Sequence, residues 1–213
     1  MERIRNLIHG DRNPYDGLNL MPDDIQGWSS TSQAFEDCIL SLQPKLIVEV
    51  GTWKGCSAIH MATLCRNANI ETEIVCIDTY LGSWEHWTSL REFLPPEKLV
   101  NGRAHIYEQF LSNVVHTGFT ETITPFPIDS VNGALCLKHW NIKADMIYID
   151  AGHDYDSVFT DLSLYKELVR PGGYLLGDDW FHGPIKSAVE NVLGEVQTLS
   201  HDKFLWVRPN ESN

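Results

Sequence analysis

Residues 144–180 read ADMIYIDAGHDYDSVFTDLSLYKELVRPGGYLLGDDW, and the alternation inside this stretch decides the fold. Two continuous apolar runs, 146–149 and 174–176, flank a segment in which Val158, Leu162, Tyr165 and Leu168 recur at helical spacing. Strand, amphipathic helix and strand in that order make a βαβ unit, whose strands run parallel and are buried on both faces. RPGG at 170–173 reads as the terminator of the helix and a turn. Each apolar run ends in carboxylates, Asp150 after the first and Asp178 with Asp179 after the second, and His153 follows Asp150 by three residues.

The same alternation extends in both directions. TSQAFEDCILSL (31–42) carries Phe35, Cys38, Ile39 and Leu42 at helical spacing, with Ser32 as N-cap and Pro44 beyond its end. KLIVEVG (45–51) is a strand leading through a glycine-bounded turn into a helix from about Cys56 to Cys65. EIVCID (73–78) is a second strand, and TITPFPI (122–128) a third, interrupted by proline. Helices are expected at 107–118, 130–140 and 185–193. The last two strands, in EVQTLS and KFLWVRP, are separated by only His201 and Asp202, too few residues for a crossover, so they form an antiparallel hairpin. The expected architecture is α/β: a Rossmann-like, doubly wound sheet, mostly parallel, with an antiparallel C-terminal edge hairpin and helices on both faces. One domain spans 1–213, with an N-terminal arm and helix to residue 44, a core from 45 to 208, a lid-like insertion at 79–105 and a polar tail, NESN. Ligands of such sheets bind outside the carboxyl ends of the strands, where Glu49, Asp78, Asp150 and Asp178 gather.

Bulk composition narrows the function. A formal net charge of -13 argues against nucleic-acid partners, which require a basic face, and against an anionic membrane surface. Five cysteines, with no Cys-x-x-Cys pair, read as reduced core residues. No apolar segment follows the charged N-terminus and no run reaches the length of a membrane span, so a cytoplasmic location is expected.

VEVGTWKGCSA (48–58) lacks the spacing of a phosphate-binding P-loop, and Trp53 stands where a dinucleotide turn places its second glycine. A ligand without a diphosphate suits this turn. Glu-x-Gly-x-x-x-Gly resembles motif I of class I S-adenosylmethionine-dependent methyltransferases. That resemblance places Glu49 near the cofactor amino group, gives Gly51 a close backbone approach and Ser57 a polar contact, and includes Thr52 and Gly55 in the turn. It assigns Asp78 to both ribose hydroxyls, and sets Asp150 beside the cofactor. Asp129 or Ser130, in FPIDSVNGA, would lie near the adenine ring; either also suits an N-cap.

Three carboxylates at neighbouring strand ends repel one another unless a cation sits between them, and all-oxygen ligation suits Mg2+ or Mn2+. Asp150, Asp178 and Asp179 are therefore the expected metal ligands, whereas Asp154 and Asp156 read as helix-capping or solvated groups. The stretch 148–180 resembles the Mg2+-dependent O-methyltransferases of the macrocin and mycinamicin type and their cephalosporin-pathway relatives. By that resemblance Asp150, Asp178 and Asp179 hold the metal and His153 is the general base acting on a hydroxylated small molecule, a sugar or natural product. Catechol O-methyltransferases carry lysine at the position of His153 and asparagine at that of Asp179. Relatives assemble as dimers or tetramers, which extends to this chain by analogy only. The alternatives are a metal-independent methyltransferase, a non-catalytic cofactor-binding accessory protein and, more distantly, a nicotinamide-dependent oxidoreductase. Trp84, His86 and Trp87 in the insertion and Trp28 in the arm could stack on a substrate ring or build an interface; His182 reads as a surface residue at a helix start.

Overall fold

The computed structural model describes residues 4–200 and 202–210; residues 1–3, His201 of the hairpin connection and residues 211–213 of the polar tail lie outside them. The chain forms helices α1 (Ile4–His9) and α2 (Gln33–Leu42), then β1 (Leu46–Val50), α3 (Cys56–Asn67), β2 (Glu73–Asp78), α4 (Ile106–Thr117), β3 (Ile123–Pro127) and α5 (Ser130–His139). It continues through β4 (Ala144–Ile149), α6 (Tyr155–Tyr165), β5 (Val169–Gly177), α7 (Gly183–Leu193), β6 (Gln197–Thr198) and β7 (Phe204–Val207). The strands make one sheet in the order β3-β2-β1-β4-β5-β7-β6. β1 to β5 are parallel, and β7 runs antiparallel to both β5 and β6. The strand order reverses between β1 and β4, which is where such sheets open a ligand crevice.

Alternating side chains along each strand feed two cores. Ile47, Ile74, Cys76, Met146 and Tyr148 pack with Phe35, Met61 and Phe110 from α2, α3 and α4. Val48, Val75, Ile77, Ile147 and Leu175 pack with Leu137, Leu162, Tyr165 and Val189 from α5, α6 and α7. The two prolines of β3 sit in an edge strand, where a missing backbone donor is tolerated. Ser32 caps α2, accepting from Ala34 N, and Asp154 caps α6, accepting from Ser157 N. No helix among the described residues is long and apolar enough to cross a membrane.

The expected turn at RPGG is corrected by the structure. A short 3-10 segment, Lys166–Leu168, follows α6, and β5 already begins at Val169. Pairing with β4 jumps from Ala144↔Val169 to Met146↔Tyr174, so residues 170–173 bulge out of the ladder with Gly172 at φ 71°. Arg170 Nε donates to Asp145 and holds the bulge closed.

The strand ends that matter are β1 and β4, and one glycine lets them meet. Gly51 has φ 82°, and a Cβ there would lie 2.0 Å from the carbonyl oxygen of Asp150. Gly118, the C-cap of α4, also has positive φ (72°) but nothing within 4 Å of a Cβ. Gly118→Ala should cost ~1–2 kcal/mol, the strain of the left-handed backbone alone. Gly51→Ala should cost ~3 kcal/mol or more, because strain and backbone overlap add. Urea unfolding midpoints of the two variants compare them directly; equal losses would contradict the packing described.

Candidate active site

At the carboxyl ends of β1, β2, β4 and β5 lies a cavity of ≈ 560 Å³, within the usual range for small-molecule sites. The glycine turn forms its floor. Asp78 Oδ2 accepts from Thr52 N and Trp53 N, both at 2.8 Å, and Oδ1 accepts from Tyr80 N at 2.7 Å. Three backbone donors thus occupy the carboxylate and leave about one of its roughly four acceptor positions for a ligand. Burial raises the Asp78 pKa, and these donors oppose the rise. Gly51, Thr52, Ser57, Asp78, Asp129 and Ser130 all line the cavity. Asp129 is also the N-cap of α5, accepting from Asn132 N at 2.9 Å, so the capping role is realised on the cavity wall.

Glu49 and Gly55 do not line it. Glu49 is 0 % exposed beneath the turn and accepts from Ser57 Oγ and, at 3.7 Å, from Cys76 Sγ. Burial pushes its pKa up to about 8, against the pull of the Ser57 bond, so the carboxyl is mostly protonated at neutral pH. Gly55 caps α3 at φ 89°, where Phe110 leaves no room for a side chain.

The opposite end of the cavity holds the acid cluster. Ligand atoms of Asp150, His153 and Asp179 all lie within 4.8 Å of one another. His153 Nε2 is 3.4 Å from Asp179 Oδ2 and 4.0 Å from Asp150 Oδ1, while Nδ1 is 2.9 Å from Glu85 Oε2. The nearby Asp150 carboxylate, with help from Glu85 and Asp179, lifts the His153 pKa to about 9 against the effect of burial. Asp179 has φ 56°, a left-handed conformation uncommon outside glycine and frequent at functional sites. Burial and the Asp150 charge both raise its pKa. Asp178 is placed differently. Its Oδ2 accepts from Lys203 Nζ at 2.7 Å and lies 3.1 Å from the Tyr148 hydroxyl, which is 3.0 Å from Asp150 Oδ2. Burial and Asp150 raise the Asp178 pKa to about 6, and Lys203 opposes them.

The insertion and the arm form the walls. The 3-10 turn Trp84–Trp87 delivers Glu85 to His153 and stacks His86 on Trp53 at 4.3 Å, 15° from parallel. Trp28 of the arm packs edge-on against Phe93 and near His86. Glu85 and Lys203 were not expected from the sequence, since neither belongs to a strand-end pattern; the acidic residue between two tryptophans in SWEHW was the available signal for the first. His182 sits exposed at the N-cap of α7.

The model of a methyltransferase domain matches residues 48–180, from β1 to the end of the acid cluster. The chain belongs to the methyltransferase domain family. Solved structures share the fold of this methyltransferase at low identity. The O-methyltransferase NovP aligns with TM-score 0.59 and 18% identity over 84% of this chain and 79% of that one. The O-methyltransferase TomG from Streptomyces achromogenes, in complex with SAM, aligns with TM-score 0.60 and 14% identity over 88% and 83%. CalS11, a TDP-rhamnose 3'-o-methyltransferase of calicheamicin biosynthesis, aligns with TM-score 0.53 and 15% identity over 82% and 76%. The methyltransferase is also 28% identical over 64 residues to the uncharacterized protein R132 of Acanthamoeba polyphaga mimivirus, a match spanning 29% of that protein.

In the metal-free methyltransferase, His153 gains its carboxylate partners only on folding. Its folded pKa, about 9, lies above the ordinary 6.5, so the stabilisation is complete below about pH 6.5 and is lost as pH rises through 9. An NMR titration of the His153 imidazole in EDTA-treated protein should give a midpoint near 9, falling toward 6.5 in Asp150→Asn/Glu85→Gln. A wild-type midpoint at 6.5 would contradict the geometry.

Proposed function

We propose that this methyltransferase moves the methyl group of S-adenosylmethionine to a hydroxyl of a small molecule, a sugar or natural product, with a divalent cation at the acid cluster. One observation carries the reading: a single cavity joins the glycine turn and Asp78 at one end to Asp150, His153 and Asp179 at the other. The TDP-rhamnose acceptor in the name of CalS11 supports a sugar, and NovP and TomG support oxygen as the receiving atom.

The cofactor is assigned to the turn end. Gly51, Thr52 and Ser57 would border its amino-acid part, Asp78 would accept one ribose hydroxyl with the acceptor position it has left, and Asp129 and Ser130 would flank the base. Glu49 acts from below, fixing Ser57. The residues at the other end fit a cation: carboxylate oxygens of Asp150 and Asp179 lie within 4.8 Å of each other and of a ring nitrogen of His153, near the roughly 3–4 Å that separates donors around an ion bound at about 2.0–2.1 Å. Asp150 and Asp179 would hold Mg2+ or Mn2+, which supplies positive charge that acidifies and orients a bound hydroxyl.

Methyl transfer is an in-line displacement in which the acceptor oxygen bonds to the methyl carbon as the carbon–sulfur bond breaks, leaving S-adenosylhomocysteine. The hydroxyl proton needs a receiver. Glu85 would accept from His153 Nδ1–H and fix the tautomer, and positive charge held by Asp150 and Asp179 would disfavour the imidazolium, leaving Nε2 as the basic nitrogen facing the acid cluster. The turn Trp84–Trp87, which carries Glu85, lines the cavity with Trp84 and His86 and would shield the reaction centre from water. All five cysteines are free, which suits a reducing compartment, and the cytoplasm is our assignment.

Tritiated methyl transfer from S-adenosylmethionine to a panel of nucleotide sugars, free glycosides and phenols, with and without EDTA, tests the reading. The label should move to a hydroxylated acceptor, fall with EDTA and return with Mg2+. His153→Ala should lower kcat by roughly 10²–10⁴-fold while the cofactor KM stays within about threefold. Wild-type turnover in that variant would remove His153 from the chemistry, and transfer insensitive to EDTA would remove the cation.

A further inference from the structure

Lys203 is 0 % exposed, directly before β7, and its ammonium has three kinds of partner. Nζ donates to Asp178 Oδ2 at 2.7 Å and to the Tyr148 hydroxyl at 3.0 Å, and it lies over the rings of Phe35 at 5.0 Å and Tyr148 at 4.9 Å. A lysine this deeply buried is costly unless its charge is matched, and Asp178 matches it. Tyr148 has one hydroxyl proton. Since Lys203 already donates to both the tyrosine oxygen and Asp178, that proton is free to reach Asp150 Oδ2 at 3.0 Å. The C-terminal hairpin thus sends a cation across the end of the sheet that secures two strand-end aspartates, one directly and one through a phenol.

Asp178 sits at the right strand end, but its Oδ2 is engaged by Lys203, and its Oδ1 accepts from Asp179 N at 3.0 Å. Asp150 and Asp179 converge on the cavity with His153, whereas Asp178 does not belong to that cluster. Moving Asp178 onto the cation would strand a buried ammonium with no carboxylate. We propose that Lys203 is a positioning residue that keeps Asp178 out of the metal's ligand set, so that the cation is held by Asp150 and Asp179 and Asp178 acts as the counter-ion of Lys203. This rests on the cation in the proposed function but not on its methyl donor.

The test uses Mn2+ alone, titrated into EDTA-stripped full-length protein and followed by the loss of free-ion EPR signal. Asp179→Asn and Asp150→Asn should each weaken binding at least ~100-fold, since each removes a ligand. The double variant Lys203→Met/Asp178→Asn deletes the ion pair without leaving either charge buried, and should weaken binding no more than ~10-fold, the lower end for supporting residues. Loss in the double variant as complete as in Asp179→Asn would make Asp178 a ligand and overturn the proposal. No Mn2+ binding by wild type would overturn it together with the cation of the proposed function, while leaving the cofactor reading standing. Wild-type protein supplies a second measurement that needs no variant: the 15N-edited NMR signal of the Lys203 ammonium. It should persist with slow proton exchange when Mg2+ is saturating. Its disappearance on adding Mg2+ would show Asp178 leaving Lys203, against the proposal.

Discussion

The floor of the site depends on the contact between Gly51 and the carbonyl of Asp150. Strands β1 and β4 are neighbours across the reversal in strand order, and the backbone leaving β1 crosses directly over the backbone leaving β4. A Cβ at residue 51 would occupy the position of that carbonyl, so the turn keeps its place only while residue 51 has no side chain. The ladder continues on either side, with Gly51 N donating to Ile77 O and Asp150 N to Val50 O. From this abutment follow the position of Thr52 and Trp53 over Asp78, the start of α3, and the distance between the turn and the acid cluster. The two ends of the cavity are mechanically one piece.

Electrostatics then separates groups that look alike in the sequence. Each carboxylate near the strand ends is balanced in its own way. Glu49 is balanced by remaining mostly protonated under burial, and Asp78 by three backbone N–H donors. Asp178 has the Lys203 ammonium, and Asp150, Asp179 and Glu85 share His153. Of this last group Asp150 and Asp179 line the cavity beside His153, and that is where a cation and a hydroxyl would be brought together. A low effective dielectric makes these differences large, because an uncompensated buried carboxylate would shift its pKa or recruit a counter-ion.

Much of this was legible in the sequence because it depends on local pattern. Apolar runs and helical spacing gave the strands, the helices and the antiparallel hairpin, and the caps at Ser32 and Asp154 followed from residue type and position. The gathering of Asp78, Asp150 and Asp178 at one edge followed from the strand-end rule, whereas Glu49, expected with them, is buried beneath the turn and does not line the cavity. What was not legible depends on tertiary contacts over long separations. Lys203 reaches Asp178 from 25 residues away, and Glu85 reaches His153 from 68 residues away through an insertion with no regular period. Three aspartates at neighbouring strand ends need compensating positive charge, and the protein supplies part of it itself, from a lysine that reads as the start of a strand. RPGG misled for a related reason: its glycines and proline serve a bulge whose need is set by the partner strand.

The central claim is that the strand-end cavity receives S-adenosylmethionine, and calorimetric titration of S-adenosylhomocysteine into the full-length protein with excess Mg2+ tests it most directly. The account predicts saturable binding at one site per chain, abolished when Asp78→Ala releases the backbone of Thr52 and Trp53. No heat at two temperatures, chosen so that a vanishing enthalpy at one cannot hide binding, would contradict it.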